Sequence, residues 1–316
     1  MTVCRSAEEM LRIQPLWESL YSAGRYTLFQ NFELNLLAAD RFAEREEPHV
    51  VCVESAQGAA IVPASVRRSD GTIRLLGEEL FDYRAFLHRG DDALLRYALG
   101  ALAKPGHPLE IVALRGSERN VVTEELELLS FASAPGVTRQ QISTERFAGA
   151  HTRLARNLRR MERLGFSLKT YGANPGLLRA IYEAKANQSD ASLFHDSTRI
   201  EFLVSAAALM PHVFEIFTLE NGDQRAAAVV TLRDGKCRRF YTGWFGIEYE
   251  KHSPALSLIY EVTRQSLVEG LDCDYMTGEQ GYKMRLATDL VKLFRVRATA
   301  AELAAAARAK ELPAAA

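Results

Sequence analysis

Hydrophobic residues recur along this chain in two rhythms that alternate from end to end. Met10, Ile13, Leu16, Trp17 and Leu20 fall three or four apart, which predicts a helix over residues 6–21 with a bend near Pro15. Residues 29–42 form a second helical stretch. The runs 49–54 and 59–67, split by Gln57-Gly58, read as strands, and 72–76 follows Asp70-Gly71, a pair suited to a tight turn. The pattern then predicts a helix at 91–103, a strand at 109–114, a helix at 120–131 and, after the Pro135-Gly136 turn, a strand at 137–143.

The mixture repeats in the second half. Residues 151–164 form a basic helix, 166–171 a strand, and 175–188 and 198–209 helices. The runs 213–219, 226–232 and 237–245 read as three antiparallel strands turned at Asn221-Gly222 and Asp234-Gly235. A helix at 254–269, a short buried strand at 273–276, a short helix from Gly281 and a strand near 291–296 complete the pattern. Residues 300–316 are an Ala-rich tail, a loose helix or a disordered end outside any site. Two stretches of like content give the fold class α/β (α+β). They form two related modules, residues 1–146 and 147–298, each a mixed, mostly antiparallel sheet flanked by helices, with a tail at 299–316.

Composition narrows the function classes. The 316 residues are 47% hydrophobic and 25% charged, with a formal net charge of −1, so no global field draws the chain to nucleic acid or an anionic membrane. No run approaches the roughly 20 apolar residues of a membrane span, which excludes stable membrane insertion as the expectation. Cys4, Cys52, Cys237 and Cys273 are scattered without metal-ligand spacing, and no metal is expected. Two of them sit in apolar strand-like runs, which suits free thiols in a reducing compartment. The first twenty residues carry early acids and no signal-peptide core, so the expected location is cytoplasmic.

Three constellations carry candidate chemistry. Ser253, Pro254, Ala255 and Leu256 open a helix; Ser is a good N-cap and Pro suits the first turn. The free N–H groups and dipole of such a start make a seat for a diphosphate, with a plain helix cap as the competing reading. Glu279, Tyr282 and Lys283 follow a buried strand in a glycine-flanked turn. Glu279 can take a proton from an amine, Tyr282 can give one to a departing thiolate, and Lys283 can pair with a phosphate or carboxylate. A solvated turn with an ordinary ion pair competes. Arg153, Arg156, Arg160 and Arg163 share one helix face, where Arg156 and Arg160 can contact an anionic acceptor or phosphates; a solvated face is the commoner meaning. Tyr241 and Trp244 on a strand can line an acceptor cleft, and His195, in a loop between helices, is a candidate base.

The segment Arg153-Leu-Ala-Arg-Asn-Leu-Arg-Arg160, the strand Phe240-Tyr-Thr-Gly-Trp244, the entry Tyr249-Glu-Lys-His-Ser-Pro254 and the loop Gly278-Glu-Gln-Gly-Tyr-Lys283 occur in this order. With them, residues 150–290 resemble the acyltransferases of the GNAT (Gcn5-related N-acetyltransferase) fold. More narrowly, they resemble the group that holds the cellulose-biosynthesis protein CelD and the BioF-type acetyltransferase domain, related to the FemAB transferases. The first half is similar more faintly, through Phe29-Gln-Asn31 and Phe81-Asp-Tyr83. Related chains often show Ser-Pro-Gly where this one has Ala255. The resemblance implies an acyl-CoA co-substrate with its diphosphate at Ser253–Leu256, and an N-acyltransferase acting on a small-molecule or glycan-precursor amine. Nucleic acid is not an expected partner, and a polysaccharide-synthesis assembly is a possible one. An aminoacyl-tRNA-dependent FemAB-like transferase and a non-catalytic accessory protein of polysaccharide synthesis stay open beside it.

Overall fold

Glycine pairs mark where the chain reverses, and between them the alternating runs fold into sheets. A computed structural model describes residues 1–104, 106–115, 127–135, 137–138, 143–278 and 280–308. The chain divides into two units, residues 1–132 with 292–316, and residues 133–291.

The first unit holds β1 (Thr2–Cys4), α1 (Ala7–Met10), α2 (Gln14–Ala23), α3 (Phe32–Arg41), β2 (Glu46–Pro48), β3 (Val50–Ser55), β4 (Gly58–Val62), β5 (Ala64–Arg67), β6 (Ile73–Leu75), β7 (Leu87–Gly90), α4 (Asp92–Gly100), β8 (Leu109–Leu114) and β9 (Glu127–Pro135). One sheet runs β1-β3-β4-β7. The other runs β2-β5-β6-β8, then the returning strand Leu290–Ala298, then β9. Gly58 is required at its turn: φ is +145° and a Cβ there would stand 2.0 Å from the Arg89 carbonyl oxygen. Trp17 is fully buried, and its indole N–H donates to the Gln30 carbonyl at 2.8 Å.

Three expectations need correction here. Residues 127–131, expected in a helix, lie in β9; residues 120–126 are outside the described residues. Periodicity cannot separate a short apolar run into helix or strand, and a distant partner, the returning strand, decides it. The helix expected from residue 29 begins at Phe32, because the Asn31 side chain accepts the Leu34 N–H at 3.1 Å and fixes the start there. The tail contains a helix, Ala300–Arg308, whose Leu303 is buried in the first unit's core, so it is not wholly loose. Residues 309–316, 116–119 and 139–142 also lie outside the described residues.

The second unit holds β10 (Val137–Thr138), α5 (Thr144–Ala150), α6 (Thr152–Arg163), β11 (Ser167–Tyr171), α7 (Pro175–Ala186), α8 (Ser197–Leu209), β12 (Phe214–Asn221), β13 (Gln224–Asp234), β14 (Cys237–Phe245), α9 (Pro254–Val268), β15 (Asp272–Asp274) and α10 (Gly281–Leu286). Its sheet runs β10-β15-β14-β13-β12-β11. The expected hairpin turns hold, with Gly222 and Gly235 at positive φ. Strand alternation puts Phe217, Ala227, Val229 and Phe240 on one face, packed with Phe147, Met161, Leu258 and Val262 of α5, α6 and α9. The intervening Ile216, Ala228, Val230 and Thr242 face α7 and α8, whose Ile181, Tyr182, Phe202 and Leu203 are buried.

β14 and β15 are parallel, as a helical crossover between them demands. Their pairing covers only Cys237↔Asp272, Arg238↔Cys273 and Arg239↔Asp274. Two buried arginines secure it. Arg238 donates to Glu215 at 2.8 and 3.1 Å, to Glu269 at 3.2 Å and to Ser266 at 2.7 Å. Arg239 donates to Asp234 at 2.8 Å and to Asp274. Asp274→Ala should destabilise the protein by about 2–3 kcal/mol in urea unfolding, short of the penalty for a fully orphaned buried charge because Asp234 remains. A loss under about 0.5 kcal/mol would show that this pair is not holding the strands.

Candidate functional site

The sheet opens where that clamp ends. β13 and β14 pair as Val230↔Thr242 and then Thr231↔Phe240, so Tyr241 is an extra residue, a β-bulge two positions past the last β14–β15 pair at Arg239. On the far side, Asp274 accepts the Met276 N–H at 2.8 Å, and Met276 adopts φ +63°, which carries the chain away from β14. Beyond Arg239 no strand among the described residues pairs with that edge of β14. The result is a wedge, narrow at the arginine clamp and open toward Trp244 and Phe245.

α9 begins just past the open end, after a 3-10 turn over Ile247–His252. Ser253 sits at the cap position, yet it corrects the expected side-chain cap. Its backbone is left-handed (φ 48°, ψ 53°) and its side chain caps no N–H. Its carbonyl accepts the Ser257 N–H and hydroxyl, each at 3.0 Å. Pro254 supplies no donor, so the amides of Ala255 and Leu256 are the first-turn donors left without an intrahelical acceptor. Both residues are half-buried and pack against the core through their side chains. Ala255 does not carry a positive φ, so the glycine of related chains is not needed for backbone freedom there.

Positive charge gathers at this entry. His252 is held below its usual pKa by burial, then by the fields of Lys251 and Arg160. Arg160 is therefore the member of the α6 row that stands near the helix start. Arg156, one turn earlier, is exposed, and no hydrogen bond or ion pair of its side chain is formed among the described residues.

The remaining candidates separate. Tyr282 is half-buried against the core, and burial raises its pKa above the ordinary value. Lys283 is buried, and its ammonium donates to the Thr277 carbonyl, a bond that pins the turn. Glu279 lies outside the described residues. Trp244 stands on the α7 face of β14, half-buried, beside the bulge residue Tyr241. His195 is exposed; its Nε2 contacts the Ser189 carbonyl at 3.0 Å and closes a turn between α7 and α8. Sequence reasoning passed over Asp274, which sets the wedge, and over Tyr182, Lys185 and Gln188 on α7 and its exit. Tyr182 and Lys185 sit three apart on that helix's apolar face, a signal that was available.

With this geometry in place, comparisons agree on the fold. Residues 148–284 match the family model of the acetyltransferase (GNAT) domain. No curated protein matches the chain in sequence. Among solved structures, L-PGS from Bacillus licheniformis is similar with a TM-score of 0.57 at 10% identity, over 89% of this chain and 90% of that one. FemX is similar with a TM-score of 0.51 at 10% identity, over 81% and 89%. A tandem GNAT protein from the clavulanic acid biosynthesis pathway reaches 0.56 at 13% identity, over 95% and 98%. At such identities the likeness concerns fold. The chain is a mixed α/β protein built from tandem GNAT-like modules, and residues 148–284 in the second match the acetyltransferase (GNAT) domain model.

Two outcomes test the site. Ser253→Gly should leave stability unchanged or raise it by up to about 1 kcal/mol, because glycine takes the left-handed backbone freely and no side-chain cap is lost. A loss of about 1 kcal/mol in thermal or urea unfolding would restore the capping role. In an ultraviolet titration, Tyr282→Phe should remove a phenol that ionises above the ordinary 10; removal of a phenol titrating at or below that value would contradict the burial argument.

Proposed function

We propose that the chain is a cytoplasmic, acyl-CoA-dependent N-acyltransferase, of the CelD and BioF-type group, that acetylates an amine of a sugar or of a cell-envelope or polysaccharide precursor. One observation carries this reading: a wedge between parallel strands opens onto a helix start whose first amides have no hydrogen-bond partner among the described residues. The amides of Ala255 and Leu256, with the dipole of α9, suit a diphosphate, and Arg160 and Lys251 add positive field. The unpaired edge of β14 suits an amide-bearing arm laid along it like a further strand. A thioester bound there would supply the activated acyl carbonyl.

The chain's own residues then have defined tasks. The wedge and the α7 face hold donor and acceptor side by side, which supplies most of the acceleration. Tyr282 keeps its proton through neutral pH and gives it to the departing sulfur as the C–N bond forms and the C–S bond breaks. Glu279 takes the proton released by the amine, adding about 10²–10⁴-fold. Buried thiols take no part: burial pushes Cys237 and Cys273 up to about 12, so neither is a nucleophile near neutrality. Among the described residues, no group of three or more His, Cys, Asp or Glu could hold a metal ion, and no helix is long and apolar enough to cross a membrane.

A second reading, transfer from charged tRNA in the manner of the FemAB relatives, draws on the exposed arginine row Arg153, Arg156, Arg159, Arg160 and Arg163 of α6. Calorimetric titration with acetyl-CoA separates the two. The proposal expects binding in the micromolar range, weakened at least about tenfold by Ala255→Glu, which sets a carboxylate against the diphosphate seat. Absence of binding would leave tRNA-dependent transfer or a non-catalytic role in polysaccharide synthesis. Glu279→Gln should lower turnover about 10²-fold or more, and full turnover in that variant removes Glu279 from the mechanism.

A further inference from the structure

Lys185 lies on the side of β14 away from α9. It is half-buried, and its ammonium donates to Gln188 Oε1 at 3.2 Å. No carboxylate among the described residues forms an ion pair with it. Burial is the one described influence on Lys185, drawing its pKa down. The same Gln188 side chain donates to the Phe245 carbonyl at 2.7 Å. That chain of contacts ties the ammonium to the open end of β14, next to Trp244. One turn back on α7, the Tyr182 side chain is wholly buried beside Thr242. An ammonium drawn partly out of water with no carboxylate beside it is costly in the free protein, and an anion that pairs with it recovers that cost.

We propose that Lys185 receives a carboxylate or phosphate of the acceptor, so that the substrate is an amine bearing an anionic group, presented from the α7 side of β14. This rests on the transferase reading above for the word acceptor, although the anion site stands on its own geometry. A diphosphate at α9 would not occupy it, because α9 packs on the Phe240 and Gly243 face, where a Cβ on Gly243 would meet Ile259 at 4.0 Å. Donor and acceptor would thus have separate anion seats on opposite faces of one strand.

The full chain can be given acetyl-CoA with three matched amines that carry a carboxylate, a phosphate or a neutral hydroxymethyl group, with thiol release as the signal. The anionic amines should show KM about 10- to 100-fold lower than the neutral one, and the better of the two identifies the group. Lys185→Met should erase that difference through KM with kcat nearly unchanged, and Lys185→Arg should restore most of it. Equal use of neutral and anionic amines, or a preference that survives Lys185→Met, overturns the proposal. A readout independent of turnover is acetylation of lysines by acetic anhydride, followed by mass spectrometry. Phosphate or the carboxylate-bearing amine should slow labelling of Lys185 by roughly tenfold. Unchanged labelling overturns the site whatever the turnover shows. Protection without thiol release would keep the anion site while removing the transferase reading.

Discussion

One parallel strand pair, kept short, governs the second unit. β14 and β15 share three register positions and no more. Left alone, a parallel ladder would continue for as long as both strands stay extended. Here two side chains stop it. Asp274 is held by Arg239 and accepts the Met276 N–H, so the same carboxylate ends the pairing and starts the departing turn. Tyr241 bulges out of the opposite ladder at almost the same level. The buried arginine clamp is weak evidence for stability, since ion pairs of this kind often match a hydrophobic replacement. Its value is positional, because it fixes where the sheet closes and therefore where it opens.

From that opening the electrostatics divide by face. On the α9 side lie first-turn amides without an intrahelical acceptor, a helix dipole, and the charges of Arg160 and Lys251. On the α7 side a single ammonium, Lys185, is drawn partly out of water next to Trp244. Tyr282 and Lys283 belong to the arm that leaves the clamp. Lys283 shapes that arm through its bond to Thr277, and Tyr282 keeps a protonated phenol in an apolar setting. A two-substrate reaction needs such a partition, with each partner's charge met by a different element and the reacting atoms meeting at the strand between them.

Local chemistry made much of this legible in the sequence. Asn221-Gly222 and Asp234-Gly235 announce hairpins because few other pairs tolerate the backbone they require, and Pro254 marks a helix start because it needs no donor there. What stayed hidden depends on partners far along the chain. Residues 127–131 look helical until the strand Leu290–Ala298 returns beside them. Ser253 before Pro254 looks like an N-cap, but its left-handed backbone turns the hydroxyl from the task. The α6 arginine row reads as one basic face, and Arg160 is the member whose field reaches His252 at the helix entry. Lys283 looks like an exposed cation in sequence, while in the fold it is buried and bonds the Thr277 carbonyl; Lys185 looks ordinary and forms no ion pair with a carboxylate among the described residues.

The central claim is that the α9 start, reached through the wedge, receives the diphosphate of coenzyme A. Amide-resolved nuclear magnetic resonance during a titration with coenzyme A tests it most directly. The account predicts that the largest shifts fall on the amides of Ala255 and Leu256, with further shifts along Thr242 to Trp244. Shifts that leave those amides unmoved, or that centre on the helix start at Asp92 in the first unit, would contradict it.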